Sequence, residues 1–173
     1  MKIYLAGPDV FLPDPAQHGR TLKAICARLG VEGLYPMDNE ITPEAGQDTA
    51  SLIRAANMAM IRACDAIVAN MTPFRGVSAD VGTAYEMGVG AALGKIVVGY
   101  SSDVRSYMQR VEASGAVTRD IDDTCWAADG FSVECFGVPL ADNLMLSCGV
   151  DAMCVSVEQA VEEARRLFAA RRA

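Results

Sequence analysis

Four short apolar runs, each broken by glycine, proline or a polar turn and each separated from the next by a segment of helical periodicity, constrain this chain most. The runs are Lys2 to Ala6 ahead of Gly7-Pro8, Val31 to Tyr35 ahead of Pro36, Asp65 to Asn70, and Lys95 to Tyr100 after Gly94. Between them, Ala16 to Leu29 places Leu22, Ile25, Cys26 and Leu29 on one face and stops at Gly30. Thr49 to Cys64 carries Leu52, Ile53, Ala56, Met60 and Ala63 at helical spacing, and a helix is expected from about Asp80 to Leu93. The pattern reads β-α-β-α-β-α-β. Strands that are apolar throughout, not alternating, belong in a parallel sheet covered on both faces, and such sheets bind ligands beyond the carboxyl ends of their strands. The loops after Gly7, Tyr35 and Asn70 are therefore the ones to watch.

The remainder is less regular. Asp103 to Ala113 reads as a helix, and Val117 to Gly137 is polar and aromatic with little periodicity. Val150 to Val155 reads as a last strand, followed by an amphipathic helix from Val157 to Ala170 begun by Ser156. With 173 residues, 51% of them hydrophobic, one domain spanning 1–173 is expected.

Fifteen Lys and Arg stand against 22 Asp and Glu, a net charge of -7. That balance argues against polymeric nucleic acid as a partner, because cationic neutralisation of phosphate dominates such binding. No stretch approaches the roughly 20 apolar residues of a membrane span, and the N-terminus enters a strand pattern directly, without a charged signal head, so a cytoplasmic protein with no membrane partner is expected. Six scattered cysteines without a C-x-x-C pair, and one histidine, His18, give no zinc quartet and read as reduced thiols. Asn70-Met71-Thr72 fits a glycosylation acceptor by chance in a chain without a secretory signal.

The chemistry concentrates in Asn70, Phe74, Arg75, Gly76, Asp80, Gly82 and Glu86. Glu86 lies among Ala84, Met87 and Val89 in a helix that also holds Gly82, Gly88 and Gly90. Three glycines forgo roughly 3 kcal/mol against alanine, and an unpaired buried carboxylate costs more, so something must approach this helix closely. An ion pair of Glu86 with Arg75 or Lys95 is the plain alternative to a reactive role. Asp80 stands where a helix N-cap belongs, and capping alone accounts for it as well. Two carboxylates suffice for retaining glycosyl transfer, one as nucleophile and one managing protons, and an N-glycosidic bond breaks through an oxocarbenium-like state that an anion stabilises.

Ile3 to Phe11, Arg62 to Asn70, Pro73-Phe74-Arg75-Gly76, Asp80 to Gly88 and Asp142-Asn143-Leu144-Met145, in this order and spacing, resemble the nucleoside 2-deoxyribosyltransferases. The resemblance implies a flavodoxin-like, doubly wound α/β fold with a mainly parallel five-stranded sheet. It implies exchange of bases on 2'-deoxynucleosides with free nucleobases as acceptors, and no metal or organic cofactor. It makes Glu86 the nucleophile, Asp80 the proton exchanger with the base, and Tyr4 the residue that orients Glu86. Asn57 takes the position of a sugar contact. Asp38 and Glu40, after the second strand, are candidate base or sugar contacts, and equally a solvated acidic turn. Gly7, Phe11, Phe74, Arg75 and Gly82 are candidates to border the substrate. Asn143 and Met145 match residues that such enzymes lend to a neighbouring subunit, which implies a homo-oligomer, dimer or hexamer; a helix start is their ordinary reading.

Two rivals remain. A related branch of nucleotide N-glycosidases holds phosphate in its first loop, but here Pro8 removes a donor and Asp9 adds repulsion, which favours free nucleosides. A non-catalytic nucleotide-binding module is the other, disfavoured by the presence of both Asp80 and Glu86. A dinucleotide oxidoreductase fits least, since Gly88 to Gly94 misses the G-x-G-x-x-G spacing and falls inside a helix.

Overall fold

A computed structural model of the chain describes residues 1–39, 41 and 48–172. Its central sheet is parallel throughout. Strand β1 (Lys2–Ala6) runs into a tight turn of 3-10 helix (Pro8–Phe11), then helix α1 (Pro15–Arg28), β2 (Glu32–Leu34), α2 (Thr49–Ala63), β3 (Ala66–Asn70), α3 (Val81–Ala92) and β4 (Ile96–Tyr100). There follow α4 (Tyr107–Ser114), the short strands β5 (Val117–Arg119), β6 (Cys125–Ala127) and β7 (Ser132–Val133), a single helical turn α5 (Leu144–Ser147), β8 (Ala152–Cys154) and α6 (Val157–Ala170). The five-stranded sheet has the order β2-β1-β3-β4-β8, the flavodoxin-like arrangement expected of the alternating pattern.

Both faces of the sheet are covered. Ile3, Leu5, Val68, Ile96 and Val98 point toward Leu22 and Cys26 of α1 and Ala160, Val161 and Ala164 of α6. Tyr4, Ala6, Ile67, Ala69 and Val97 point the other way, toward Ile61 of α2 and Met87 of α3. Burial on both sides is why these strands read as unbroken apolar runs. The helix starts follow local chemistry: the side chains of Asp14, Asp48, Asp80, Ser106 and Ser156 each accept the backbone N–H of the residue three positions on. Gly30 and Gly94, just past α1 and α3, take the left-handed conformation that ends a helix.

Element positions agree with the periodicity to within a few residues. The stretch 117–137 is different: it contains a three-stranded antiparallel sheet, β5-β6-β7, with strands of two or three residues. Runs that short are below the length at which alternation becomes visible. Among the described residues no helix is long and apolar enough to cross a membrane, and no group of three or more His, Cys, Asp or Glu is placed to hold a metal ion.

Candidate active site

Parallel pairing of β1 with β3, with Tyr4 opposite Ile67, sends the Tyr4 side chain out of the sheet toward α3. There its hydroxyl donates to Glu86 Oε1 at 2.6 Å. Tyr4 is wholly buried, and burial, reinforced by the adjacent Glu86 charge, holds its phenol far above the ordinary value, so it remains a proton donor. Burial likewise pushes Glu86 up to about 7; the Tyr4 hydrogen bond opposes that rise and the charge of Asp80 adds to it. Neither cation named as an ion-pair partner reaches Glu86. Lys95 donates to the carbonyls of Arg62 and Cys64, and the Arg75 guanidinium lies over aromatic rings. Among the described residues Glu86 is thus a half-buried carboxylate hydrogen-bonded by a neutral hydroxyl and paired with no cation.

Glu86 opens onto a cleft of about 460 Å³ between α2 and α3, lined by Ala50, Ile53, Arg54, Asn57, Met58, Ile61, Gly82, Tyr85 and Glu86. That volume lies within the usual range for small-molecule sites. Asn57 faces the cleft from α2, its Oδ1 accepting from Asn39 Nδ2 at 3.2 Å. Gly82 forms the wall one turn before Glu86, and a Cβ there would stand 3.0 Å from Asp80 Oδ2. Asp80 is an N-cap and more. Oδ2 accepts from the Thr83 amide at 2.9 Å and the Thr83 hydroxyl at 3.1 Å, while Oδ1 carries no bond among the described residues. Capping and proton exchange are compatible in one side chain.

The three helix glycines separate by role. Gly82 borders the cleft; at Gly90 a Cβ would overlap Ile67 Cδ1, so this glycine lets α3 sit close on β3; Gly88 faces open space.

Other expected residues gather elsewhere. Phe11 and Phe74 stack with ring centroids 5.4 Å apart and an interplanar angle of 14°, and Arg75 caps both rings at 5.4 and 4.7 Å. Arg75 adopts φ 54, a left-handed conformation that costs a non-glycine residue about 1 kcal/mol and aims the guanidinium over the stack. This trio is not part of the cleft lining. Gly7 packs against Asn70 and Asp9, where a Cβ would meet Asn70 Cβ at 2.9 Å, while Asn70 Nδ2 donates to both Asp9 oxygens at 3.0 and 3.1 Å. Asp9 is thereby engaged in tying the first loop to β3. Asp38 accepts the Tyr35 amide at 2.9 Å and pairs with Lys23, so it braces the turn after β2 and does not line the cleft. Glu40 lies outside the described residues.

Asn143 caps α5, accepting the Met145 amide at 3.0 Å, and donates to Glu134 Oε1 at 2.6 Å. Met145 is 74% exposed, and neither residue lines the Glu86 cleft of its own chain.

Sequence reasoning missed the bracing beneath the site. Asp142 is fully buried and accepts from the Ala79 amide at 2.9 Å, the Ser78 hydroxyl, the Asn143 amide at 2.8 Å and Arg110 Nη2 at 3.4 Å. Arg110 in turn donates to the carbonyls of Val77, Arg105 and Ala141. One buried ion pair therefore fixes both the loop entering Asp80 and the segment carrying Asn143. Asp142 opens the Asp142-Asn143-Leu144-Met145 motif, whereas Arg110 has no local signal at all. Arg54 and Tyr85 were also overlooked: both line the cleft, and Arg54 Nη2 donates to Tyr85 Oη at 3.0 Å, from α2 to α3.

The family model described as Nucleoside 2-deoxyribosyltransferase matches residues 3–145. A solved 2-desoxiribosyltransferase from Leishmania mexicana is 39% identical, covering 94% of this chain and 95% of that one, with a TM-score of 0.73. A conserved protein from Enterococcus faecalis V583, 24% identical with a TM-score of 0.63 over 96% of this chain and 98% of that one, shares the fold. An uncharacterized Schizosaccharomyces pombe protein is 35% identical over 115 residues, 64% of this chain; the match spans about half, 54%, of that relative's length. The chain belongs to the nucleoside 2-deoxyribosyltransferase family.

Proposed function

We propose that the protein exchanges bases on 2'-deoxynucleosides by a retaining, two-step reaction. The Glu86 carboxylate attacks C1' of the donor, the N-glycosidic bond breaks, and the electron pair leaves with the base as Asp80 supplies a proton. A deoxyribosyl-glutamate ester remains. An incoming base then attacks C1', giving its proton to Asp80 and expelling Glu86. The observation that carries this reading is the Tyr4–Glu86 hydrogen bond of 2.6 Å at the wall of the cleft. It engages Oε1, leaving Oε2 as the attacking oxygen and restraining the carboxylate in one rotamer.

Further features support it. Gly82 removes bulk beside the point of attack, Asn57 offers an amide to the sugar, and Asp80 Oδ1 is unengaged among the described residues. Asp9 stands bonded to Asn70 in the first loop, an unsuitable host for a 5'-phosphate, which favours free nucleosides. The exposed Met145 and the ordered α5 start suit a segment offered to a second subunit, and we read the enzyme as a homo-oligomer whose clefts are completed in that way. One catalytic domain across residues 1–173, working in the cytoplasm on salvaged nucleosides, fits six free cysteines and a net charge of -7.

Incubation of the purified protein with deoxyinosine, with and without adenine or cytosine, followed by chromatography, tests the reading. A new deoxynucleoside appearing only with acceptor supports transfer. Sugar release independent of acceptor identifies an N-glycosidase, and absence of turnover a binding module.

A further inference from the structure

The small sheet β5-β6-β7 holds a group of reactive side chains remote from the Glu86 cleft. Cross-strand pairing sets Cys125 opposite Arg119 on one side and Val133 on the other. Cys135 follows two residues past Val133, beyond the end of β7, and Arg119 Nη2 donates to its sulfur at 3.5 Å, so the side chain opposite Cys125 reaches Cys135. Arg119 is itself steered by Asp123, through Nη1 to Oδ1 at 2.8 Å. Cys125 is buried and Cys135 half-buried, both as free thiols.

The two sulfurs are not equivalent. The Arg119 guanidinium rests on the Cys135 sulfur and on no other thiol among the described residues; the neighbouring Cys125 thiol, and next the Arg119 cation, hold Cys135 below the ordinary thiol value, while the neighbouring Cys135 and then burial raise Cys125. A more acidic, partly accessible thiol beside a second, sheltered one is the arrangement of an attacking and a resolving cysteine.

We propose that Cys135 and Cys125 form an oxidisable dithiol that closes to a disulfide on exposure to a hydroperoxide, with Arg119 as the activating cation. The Cys135 thiolate attacks a peroxide oxygen; the O–O bond breaks, hydroxide or alkoxide leaves and is protonated, and Cys135 holds a sulfenic acid. Cys125, releasing its proton, attacks that sulfur; the S–S bond forms, the S–O bond breaks, and the oxygen departs as water. Two thiols give up two electrons and two protons, and the peroxide is reduced to water or alcohol plus water.

Closure has a route to the rest of the fold. Glu134, the residue before Cys135, accepts Asn143 Nδ2 and the Leu144 amide, both at 2.6 Å, and so clamps the start of α5. A bond that pulls Cys135 toward β6 draws on that clamp.

The whole chain, reduced and then titrated with hydrogen peroxide, is examined by intact mass, peptide mapping and amide exchange. Expected are a loss of two hydrogens, a cross-linked peptide pair containing Cys125 and Cys135, recovery with a thiol reductant, and faster exchange at Leu144 in the oxidised form. Cys125→Ser should accumulate a Cys135 sulfenic acid that dimedone traps, without the change at Leu144, and Arg119→Gln should slow oxidation roughly tenfold. Oxidation that spares Cys135 while the exposed Cys148 reacts, or cross-links formed through other cysteines, would overturn the proposal. An unchanged Leu144 in the closed disulfide would overturn the link to α5.

Discussion

Tyr4 donates its hydroxyl proton to Glu86 Oε1 across 2.6 Å, from the first strand of the sheet to the middle of α3. The contact joins residues 82 positions apart and opposes the effect of burial on the carboxylate. Because the bond favours the ionised form, it holds the Glu86 pKa, about 7, below what burial alone would impose. Tyr4→Phe is expected to move the acidic limb of the kcat/KM profile upward by about one pH unit and to lower kcat roughly 10- to 100-fold at neutral pH. A pH–rate profile of both proteins with deoxyinosine checks this; an unshifted limb would mean that Tyr4 does not tune Glu86.

Glu86 also carries a stability cost with a definite pH sign. Its folded pKa is raised from 4.5 to about 7, so the folded state holds the proton more tightly than the unfolded chain. The favourable contribution of the protonated form is complete below about pH 4.5 and lost as pH rises through about 7. Glu86→Gln keeps an acceptor for Tyr4 and removes the buried charge. It is expected to match the wild type in acid and to exceed it by roughly 2 kcal/mol above neutrality, while losing transfer activity. Denaturant titrations across that range measure the difference.

The Arg110–Asp142 pair is buried at both ends, with side chains 3% and 0% exposed. Removing the carboxylate strands a guanidinium and frees the Ala79 and Asn143 amides at once. Asp142→Ala is therefore expected to cost about 3–5 kcal/mol, visible as a large fall in Tm. The double variant with Arg110→Met, which removes the stranded charge, should recover part of that loss.

Much of the fold is legible in the sequence because burial on both faces writes itself into unbroken apolar runs such as Ala66–Asn70 and Ile96–Tyr100. Helix α6 is legible from a one-sided stripe begun by a serine cap. Glu86 is conspicuous because a carboxylate among Met87, Val89 and glycines contradicts its surroundings. Tyr4 is not: a tyrosine in an apolar strand looks like core, and its link to Glu86 comes from the family resemblance and not from any pattern in the strand; the register of β1 on β3 and the seating of α3 are what bring the two side chains together. Arg110 is hidden for the same reason, since its acceptors are backbone carbonyls from distant segments that leave no pattern in its own helix. Asp38, in the acidic turn after β2, reads equally as a substrate contact and as a solvated turn; its carboxylate bonds Lys23 and the Tyr35 amide, contacts that leave no pattern in the sequence.

The covalent deoxyribosyl-glutamate is tested most directly by mixing the protein with a 2'-deoxynucleoside in the absence of acceptor, quenching in acid, and mapping the peptides by mass. The expected result is a single deoxyribosyl adduct on Glu86, absent from Glu86→Gln and discharged into a new deoxynucleoside when adenine is added before the quench. Base exchange at full rate with no adduct, or an adduct on any other residue, would contradict it.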